Sequence, residues 1–416
     1  MRDYVQCDIV DVMGTGIPAP VNPMVLAWAR TESGYDVETA ATKLRLAPER
    51  LAAWEKKGGE QPTLRQAERL AALYHRPLPV LFLPLPPKVV PLAAEFRRLP
   101  GVHPGEESPE LRLALRTLRR RREIALDLFE ENEETPVRFK LSAHLRDSPE
   151  HVGQRIREAL GVSFEEQRGW TDQYKAWRAW RDGAEALGLL VFQVPGVPLR
   201  QMRGIALFRD PLPVIAVSSR DHPLARAFTL IHELSHLMLR TSGDERPAAE
   251  EIRRAAEWAE LERFADSAAA AALMPRESVL NEREVRDKKR DSEWNDADIS
   301  SLARRYRVSP VAFLTRLAML DRVTWAFYHK WRVDWEKRWE NRPKPKTTGG
   351  PSRVDTILSR VGPTYAALVI DSLERDLITP LVASDALDLK VHHFEKLKRA
   401  LLFGTEAPPV LEGSAW

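Results

Sequence analysis

Two histidines and a glutamate in one short stretch could together bind a metal ion and move a proton. His232 and His236 are four residues apart, so on an α-helix both imidazoles can reach one ion, while Glu233 faces the same cleft at a different height. Apolar residues recur around them at helical intervals: Leu224, Phe228, Ile231, Leu234, Leu237 and Met238. We therefore predict a helix with one face on a core and the histidine face open to a cavity, the geometry of a zinc hydrolase.

A second acidic motif offers the third ligand. Glu262 and Asp266 lie one turn apart on a predicted alanine-rich helix that ends at Leu273-Met274-Pro275. Glu262 can complete a His, His, Glu zinc site, and Asp266 can orient a ligand imidazole by a hydrogen bond. Each motif alone has an ordinary explanation, because helix histidines are often solvated or hydrogen-bonded and surface glutamates are common. Their combination favours the metal site.

The two motifs resemble the ImmA/IrrE family of metallopeptidases, in which a HExxH helix is followed by an ExxA(N/D) helix that ends in a Leu-Met-Pro-like turn. The resemblance rests on His232-Glu233-Leu234-Ser235-His236, Glu262-Arg263-Phe264-Ala265-Asp266 and Leu273-Met274-Pro275. It implies a zincin-like metallopeptidase domain, which we place at residues 136–340, and Zn²⁺ as the cofactor. The expected ligands are His232, His236 and Glu262, with Glu233 as the catalytic base.

Three apolar runs precede the metal-binding helix, at residues 189–194, 204–208 and 213–217, and turn residues separate them. We interpret them as a small antiparallel sheet. In zinc peptidases an edge strand can hold an extended substrate by main-chain hydrogen bonds. The predicted fold class is α+β, mostly α.

Residues 22–87 have the pattern of a helix-turn-helix domain. Helix starts are marked by Asn22, Asp36, Pro48 and Thr63, with apolar residues at helical spacing after each. The segment resembles XRE (phage-repressor-like) domains, which often precede an ImmA/IrrE domain in one polypeptide.

DNA contacts are less clearly indicated. The candidate contacts are Arg50, Lys56 and Lys57, of which Arg50 is a natural guanine or phosphate donor. Glu49 beside it would repel the phosphate backbone, and the two lysines also fit a solvated helix end. DNA binding through residues 22–87 therefore rests mainly on the resemblance.

Composition limits the compartment and the partners. The formal net charge of the 416 residues is +3, which is too small to indicate nucleic-acid binding by itself. The single cysteine, Cys7, excludes a disulfide framework. Neither a signal segment nor an apolar stretch long enough to cross a bilayer is visible, so we expect a cytoplasmic protein without a membrane partner.

Composition shifts predict the remaining boundaries. An N-terminal extension covers residues 1–21, a connecting helix and linker 88–135, a second linker 341–351, and a small helical C-terminal domain 352–416. The connecting segment is rich in arginine, but nearby glutamates favour a solvated helix face over a nucleic-acid surface.

Two classes of function follow. The first is a zinc endopeptidase that cleaves a regulatory protein, typically an XRE-type repressor, and so links a stress or phage signal to transcription. The second is a non-catalytic antitoxin or regulator that binds an operator and a partner toxin encoded beside it. Intact metal-binding residues together with Glu233 favour catalysis, because a structural zinc site needs no general base. A homodimer is an arrangement that the sequence leaves open.

Overall fold

A computed structural model describes residues 17–88, 107–243, 245, 255–290, 294–340 and 351–403. The chain forms two units. One contains residues 17–88 and 107–116, and the other contains the described residues from 117 onward. Most of the predicted N-terminal extension and nearly all of the predicted linker at 341–351 lie outside the described residues.

Short capped helices build the N-terminal unit. They are α1 (Pro23–Glu32), α2 (Val37–Leu44), α3 (Pro48–Trp54), α4 (Leu64–Leu73), a 3-10 helix (Leu78–Phe82) and the start of α5 (Pro109–Glu131). The side chains of Asn22 and Asp36 accept hydrogen bonds from the first-turn amides of α1 and α2. Thr63 and Gln66 form a capping box at α4. The first four helices thus begin at the residues that the sequence predicts, and at three of these starts a side chain satisfies free amides.

One ion pair joins two helices of this unit. Arg30 on α1 makes two hydrogen bonds of 2.8 Å with the carboxylate of Glu55, the residue after α3. The hydrogen bond to Glu55 raises the pKa of Arg30, so the guanidinium stays charged. Leu26, Leu51 and Trp54 belong to the core of the same unit. This bidentate pair restricts the relative orientation of α1 and α3 and also stabilises the contact between them.

The second unit holds the HExxH sequence. After the remainder of α5 come α6 (Pro149–Ala159), α7 (Phe164–Gly169), α8 (Gln173–Ala186), β1 (Leu190–Val194), β2 (Gly204–Leu207), β3 (Val214–Ser218), α9 (Pro223–Ser242) and α10 (Ala255–Leu273). They are followed by α11 (Arg276–Asn281), α12 (Arg283–Arg286), α13 (Asp296–Arg305), α14 (Pro310–Met319) and α15 (Trp325–Glu340). The C-terminal helices are α16 (Arg353–Val361), α17 (Pro363–Glu374), α18 (Pro380–Leu387), a 3-10 helix (Val391–His393) and α19 (Phe394–Phe403). None of the helices in the described ranges has the length and apolar character needed to span a bilayer.

The three strands form a mixed sheet in the order β1-β3-β2. β2 runs antiparallel to β3, with Gly204 opposite Val217, whereas β1 runs parallel to β3, with Leu190 opposite Val214. The prediction of a wholly antiparallel sheet was therefore wrong. The third strand lies in the middle of the sheet. It runs in the same direction as β1 on one side and opposite to β2 on the other. Every strand residue is buried.

Two helices pack closely to carry the candidate site. α9 packs on β2 and β3 and also against α8 and α10, and α10 packs in turn on α6. A Cβ atom on Gly153 of α6 would lie 2.7 Å from the Cβ of Ala271, so only glycine fits at this crossing. The small residues of α10 thus allow close approach of the neighbouring helix.

Buried arginines hold the end of α10. Arg157 donates to the carbonyl of Ala272 at 2.7 Å, and Arg316 donates to the carbonyl of Met274 at 2.9 Å. Carbonyls at the end of a helix have no partner within the helix, and a guanidinium also complements the negative end of the helix dipole. Burial lowers the pKa of Arg157 to about 10, so its charge persists at neutral pH. The helix that carries Glu262 is therefore anchored at its C-terminal end.

The C-terminal helices pack on the part of the second unit that contains the sheet, with α16 against β1. On α8, Arg181 donates to the carbonyl of Leu358 at 3.1 Å, and one turn later Glu185 accepts the backbone amide of Thr364 at 3.0 Å. Gly362, between α16 and α17, has a φ of 79°. One face of α8 therefore holds the end of α16 and the start of α17 through hydrogen bonds to backbone groups at the two helix termini.

Candidate metal centre

The helix that carries both histidines has clear local signals at each end. His222 caps α9 by accepting the amide of Leu224 at its Nδ1 atom, and Pro223 occupies the first helical position. Gly243 ends the helix with a φ of 85°, a left-handed conformation that glycine adopts without strain. Between these limits the apolar side of the helix is buried. The predicted amphipathic helix is present as expected.

The two imidazoles face each other. The Nε2 atoms of His232 and His236 are 3.2 Å apart, and the ring planes are inclined at 66°. His236 is 2% exposed, whereas the side chain of His232 is 14% exposed. Two nitrogen atoms from one helix therefore point at a common position that opens toward solvent on the His232 side.

Carboxylates determine which imidazole nitrogen carries the proton. His232 Nδ1 is 2.8 Å from Asp266 Oδ1, and His236 Nδ1 is 2.8 Å from Glu245 Oε2. An ionised carboxylate only accepts hydrogen bonds, so each Nδ1 carries the hydrogen and donates it. When both rings are neutral, their Nε2 atoms then present lone pairs to each other, an arrangement that a cation between them would stabilise.

Glu262 brings the third donor from α10. Its Oε2 atom is 3.5 Å from His232 Nε2, and one ligand atom from each of His232, His236 and Glu262 lies within 4.8 Å of the others. Two neutral imidazoles and one carboxylate are the donor set of many catalytic zinc sites, in which a fourth position stays open. The residues present therefore fit a zinc ion. Asp266, one turn after Glu262, holds the opposite nitrogen of the same imidazole, as the sequence predicts.

Glu233 lies beside this group without joining it. It is 3% exposed and lies against Gly204, the first residue of β2. A Cβ atom on Gly204 would be 2.9 Å from Glu233 Oε1 and would collide with Thr229, so β2 approaches α9 at a distance that only glycine permits. The carboxylate is thus packed against the first residue of β2.

Three polar side chains outside the histidine and glutamate group lie in different surroundings. His222 is ten residues before His232, about 15 Å along the helix axis, and its Nδ1 atom caps the helix. Tyr306 is fully buried and packs against Phe164 and Phe313. Arg203 directly precedes Gly204, and its guanidinium pairs with Asp221 at 2.9 Å. Of the three, only Arg203 is joined to a residue that contacts Glu233.

The candidate DNA contacts lie in the N-terminal unit. Arg50 is on α3 with its guanidinium 5.5 Å from the ring centre of Trp54, and Lys56 and Lys57 follow α3. All three are exposed, as is Glu49. These residues are available to a partner, and nothing in their geometry selects nucleic acid.

Sequence reasoning did not find Glu245 and gave Gly204 no role of its own. Glu245 lies nine residues after His236 in a stretch without periodicity, so no spacing rule links the two. Gly204 carries a weak signal, since a glycine at the start of a buried strand often marks a close backbone approach.

A HExxH helix packed against a second helix that supplies a glutamate is the arrangement expected of a metallopeptidase-type zinc site. Residues 184–318 match the family model of the peptidase M78 family, described as the IrrE N-terminal-like domain. The matched stretch is about a third of the 416 residues and contains all of β1 to α13 together with His232, Glu233, His236 and Glu262. No curated protein matches the chain. The match supports an ImmA/IrrE-type metallopeptidase domain in this part of the chain.

Proposed function

We propose that the chain is a zinc-dependent endopeptidase that cleaves a specific regulatory protein. The observation that carries the proposal is the convergence of His232, His236 and Glu262, with Glu233 packed alongside. The two Nε2 lone pairs facing each other at 3.2 Å support a cation site rather than a chance cluster of polar residues.

His232, His236 and Glu262 would hold the zinc ion. A zinc ion bound there supplies a Lewis acid that brings the pKa of a water molecule toward neutrality. Asp266 and Glu245 keep both imidazoles in the tautomer whose Nε2 atom carries no hydrogen. These two carboxylates also keep the rings from rotating away.

Glu233 would move the proton. Its carboxylate accepts a proton from the attacking water and gives it to the nitrogen of the leaving amine, so the peptide bond breaks into a carboxylate and an amine. Burial at 3% exposure and contact with Gly204 restrict its rotation. A restricted base costs less entropy in the transition state than one on a mobile side chain.

The substrate would bind as an extended strand. Within the described residues, β2 pairs only with β3 and is the outer strand at one edge of the sheet. A peptide added along that edge would pass the start of β2 at Gly204, directly beside Glu233. This arrangement supports cleavage within a chain, since an extended substrate can continue past both ends of a strand of four residues.

The proposed substrate is a repressor of XRE type or another regulator encoded nearby, and the cleavage would answer a stress or phage signal. The test is co-expression of the full chain with each candidate neighbouring repressor or toxin. Wild type should remove the intact partner. The Glu233→Gln variant should bind zinc but leave the partner whole. The His232→Ala variant should lose both zinc binding and cleavage. Cleavage by the Gln variant would exclude Glu233 as the base.

An alternative function is a non-catalytic regulator that binds an operator and a partner toxin. It is favoured by the N-terminal unit, in which α2 packs on α3 and the exposed Arg50 lies on the second of these helices. We propose DNA binding through residues 22–87 on this basis. Stable co-purification of a partner without loss of its full length would support this function over proteolysis.

The DNA proposal has its own test. Full-length protein is titrated with its upstream DNA at several salt concentrations. Replacing Lys56 and Lys57 by glutamine should weaken binding and reduce the slope of log affinity against log salt by about 1 for each phosphate that a lysine neutralises. An unchanged slope would remove the two lysines from the interface, and a glutamine at the exposed Glu60 provides the matched surface control.

A further inference from the structure

Glu245 places a carboxylate in the most enclosed part of the metal centre. Its Oε2 atom is 2.8 Å from His236 Nδ1, and both side chains are 2% exposed. The corresponding pair on the other histidine is much more open, because the side chain of Asp266 is 45% exposed. The two imidazoles are therefore oriented by carboxylates in very different surroundings.

Burial makes the Glu245 contact the stronger one. A charge-assisted hydrogen bond gains strength where water is excluded, and competing solvent can reach Asp266 but hardly Glu245. A carboxylate on Nδ1 also makes the opposite Nε2 atom more basic, and therefore a better zinc donor. His236, the less exposed histidine, should thus be the ligand whose position is most firmly fixed.

The end of α9 delivers Glu245 to this position. Gly243 turns the chain in a left-handed conformation, with its amide donating to the Arg240 carbonyl at 3.1 Å. The amide of Glu245 then donates to the Leu239 carbonyl at 3.2 Å. These bonds satisfy carbonyls at the helix end, so the cap that ends the helix also returns a carboxylate to a histidine about two turns upstream.

We propose that Glu245 is a positioning residue of the metal centre, which fixes the tautomer and orientation of His236 and thereby sets zinc affinity. This inference rests on the proposed function, since it concerns the same zinc site. It assigns a role to a residue outside both the HExxH and the ExxA(N/D) sequences. Glu245 would act through His236, the residue that its carboxylate contacts.

The experiment compares zinc affinity of the full chain with that of its Glu245→Gln variant, by competition with a chromophoric chelator. Glutamine keeps the size of the side chain and loses the charge, so zinc affinity should fall by about 10- to 100-fold while circular dichroism shows that the zinc-free protein remains folded. The control is Glu185→Gln, which removes another buried carboxylate on α8 and should leave zinc affinity unaltered. Equal zinc affinity of wild type and Glu245→Gln would overturn the proposal.

A second measurement needs no substitution at Glu245. Histidine labelled with ¹⁵N in the zinc-free wild-type chain should show His236 as the neutral tautomer with its hydrogen on Nδ1, at a pH where the ring is uncharged. A hydrogen on Nε2 would contradict the assignment even if the Gln variant failed to fold. If wild type binds no zinc, the proposed function fails together with this inference. If wild type binds zinc and cleaves its partner but Glu245→Gln retains full affinity, only this inference fails.

Discussion

Gly204 lies directly against Glu233, so that a Cβ atom at the first residue of β2 would be 2.9 Å from the carboxylate oxygen Oε1. The same atom would collide with Thr229 one turn earlier on α9. The distance between β2 and α9 is therefore set by the absence of a side chain at Gly204. This contact connects the strand proposed to hold the substrate with the residue proposed to move the proton.

Gly204→Ala should impair cleavage while leaving zinc binding intact. The new methyl group must displace Glu233 or move β2 away from α9, and small displacements of a catalytic group typically cost about 10- to 100-fold in rate. The three atoms nearest to this methyl group belong to Thr229 and Glu233, and none belongs to a candidate zinc ligand. The variant should therefore still bind zinc. The measurements are metal content and the rate of partner cleavage for the purified variant.

Gly169→Ala is the matched control, because a Cβ atom there meets no atom within 4 Å. It ends α7 in the same unit and should leave both zinc content and cleavage unchanged. Loss of zinc in Gly204→Ala, or full activity, would show that the close approach does not control Glu233.

The main features of the metal centre could be predicted because they follow helical periodicity. His232 and His236 must share a face at a spacing of four, and Glu262 and Asp266 must share another. The pairing of the two helices required only that both bury their apolar sides. The structure brings the same four side chains together, with Asp266 on the far nitrogen of His232.

Features that depend on distant parts of the chain were not predictable in the same way. Strand positions followed from apolar runs, but the central place of β3 depends on how the sheet packs against α8 and α9. Glu245 reaches His236 only because the chain reverses at Gly243, and no periodicity marks a contact made through a turn. Sequence reasoning could therefore identify the candidate ligands and miss a carboxylate that contacts one of them.

Glu262→Gln should weaken zinc binding more than any change to a residue that only orients a ligand. An amide carries no charge and is a poor donor to zinc, so the loss should exceed the range of about 10- to 100-fold expected for outer contacts. Zinc affinity is measured by chelator competition. Glu260→Gln, on the same helix, is the control and should bind zinc as wild type does. Comparable affinity of Glu262→Gln and the control would remove Glu262 from the site.

Acid should destabilise the start of α9 through His222. Burial, followed by the charge of Arg226, lowers the pKa of this histidine to about 3 from its usual 6.5. The unfolded chain therefore binds a proton below about pH 6.5 that the folded chain does not bind, so stability present at higher pH is lost as the pH falls. The contribution of His222 to the change of the unfolding free energy with pH approaches about 1.4 kcal/mol per pH unit.

His222→Asn tests this effect, because asparagine also caps helices and does not titrate in this range. In zinc-free protein, the free energy of unfolding of the variant minus that of wild type should increase as the pH is lowered from about 6.5 to about 5. Using zinc-free protein keeps acid release of the metal out of the comparison. A constant difference between the two proteins across this range would mean that His222 titrates normally in the folded chain.

Glu185 should give the opposite pH dependence where the C-terminal helices meet α8. Burial raises the pKa of this carboxyl from 4.5 to about 7, although Arg181 and the amide of Thr364 favour its charged form. The folded chain therefore binds a proton between about pH 4.5 and 7 that the unfolded chain has released. The resulting stability is complete below pH 4.5 and is lost as the pH rises through about 7.

Glu185→Gln removes the charge and keeps an oxygen that can accept the Thr364 amide. The free energy of unfolding of this variant, relative to wild type, should therefore increase between about pH 4.5 and 7 by up to about 3 kcal/mol. Denaturant unfolding at several pH values measures the difference. Glu158→Gln on α6 provides the control, since it removes an exposed carboxylate in place of a buried one. If Glu185→Gln is instead less stable than wild type at neutral pH, the charged carboxylate holds the start of α17, and the complementary charges of Arg181 and Glu185 outweigh the cost of burial.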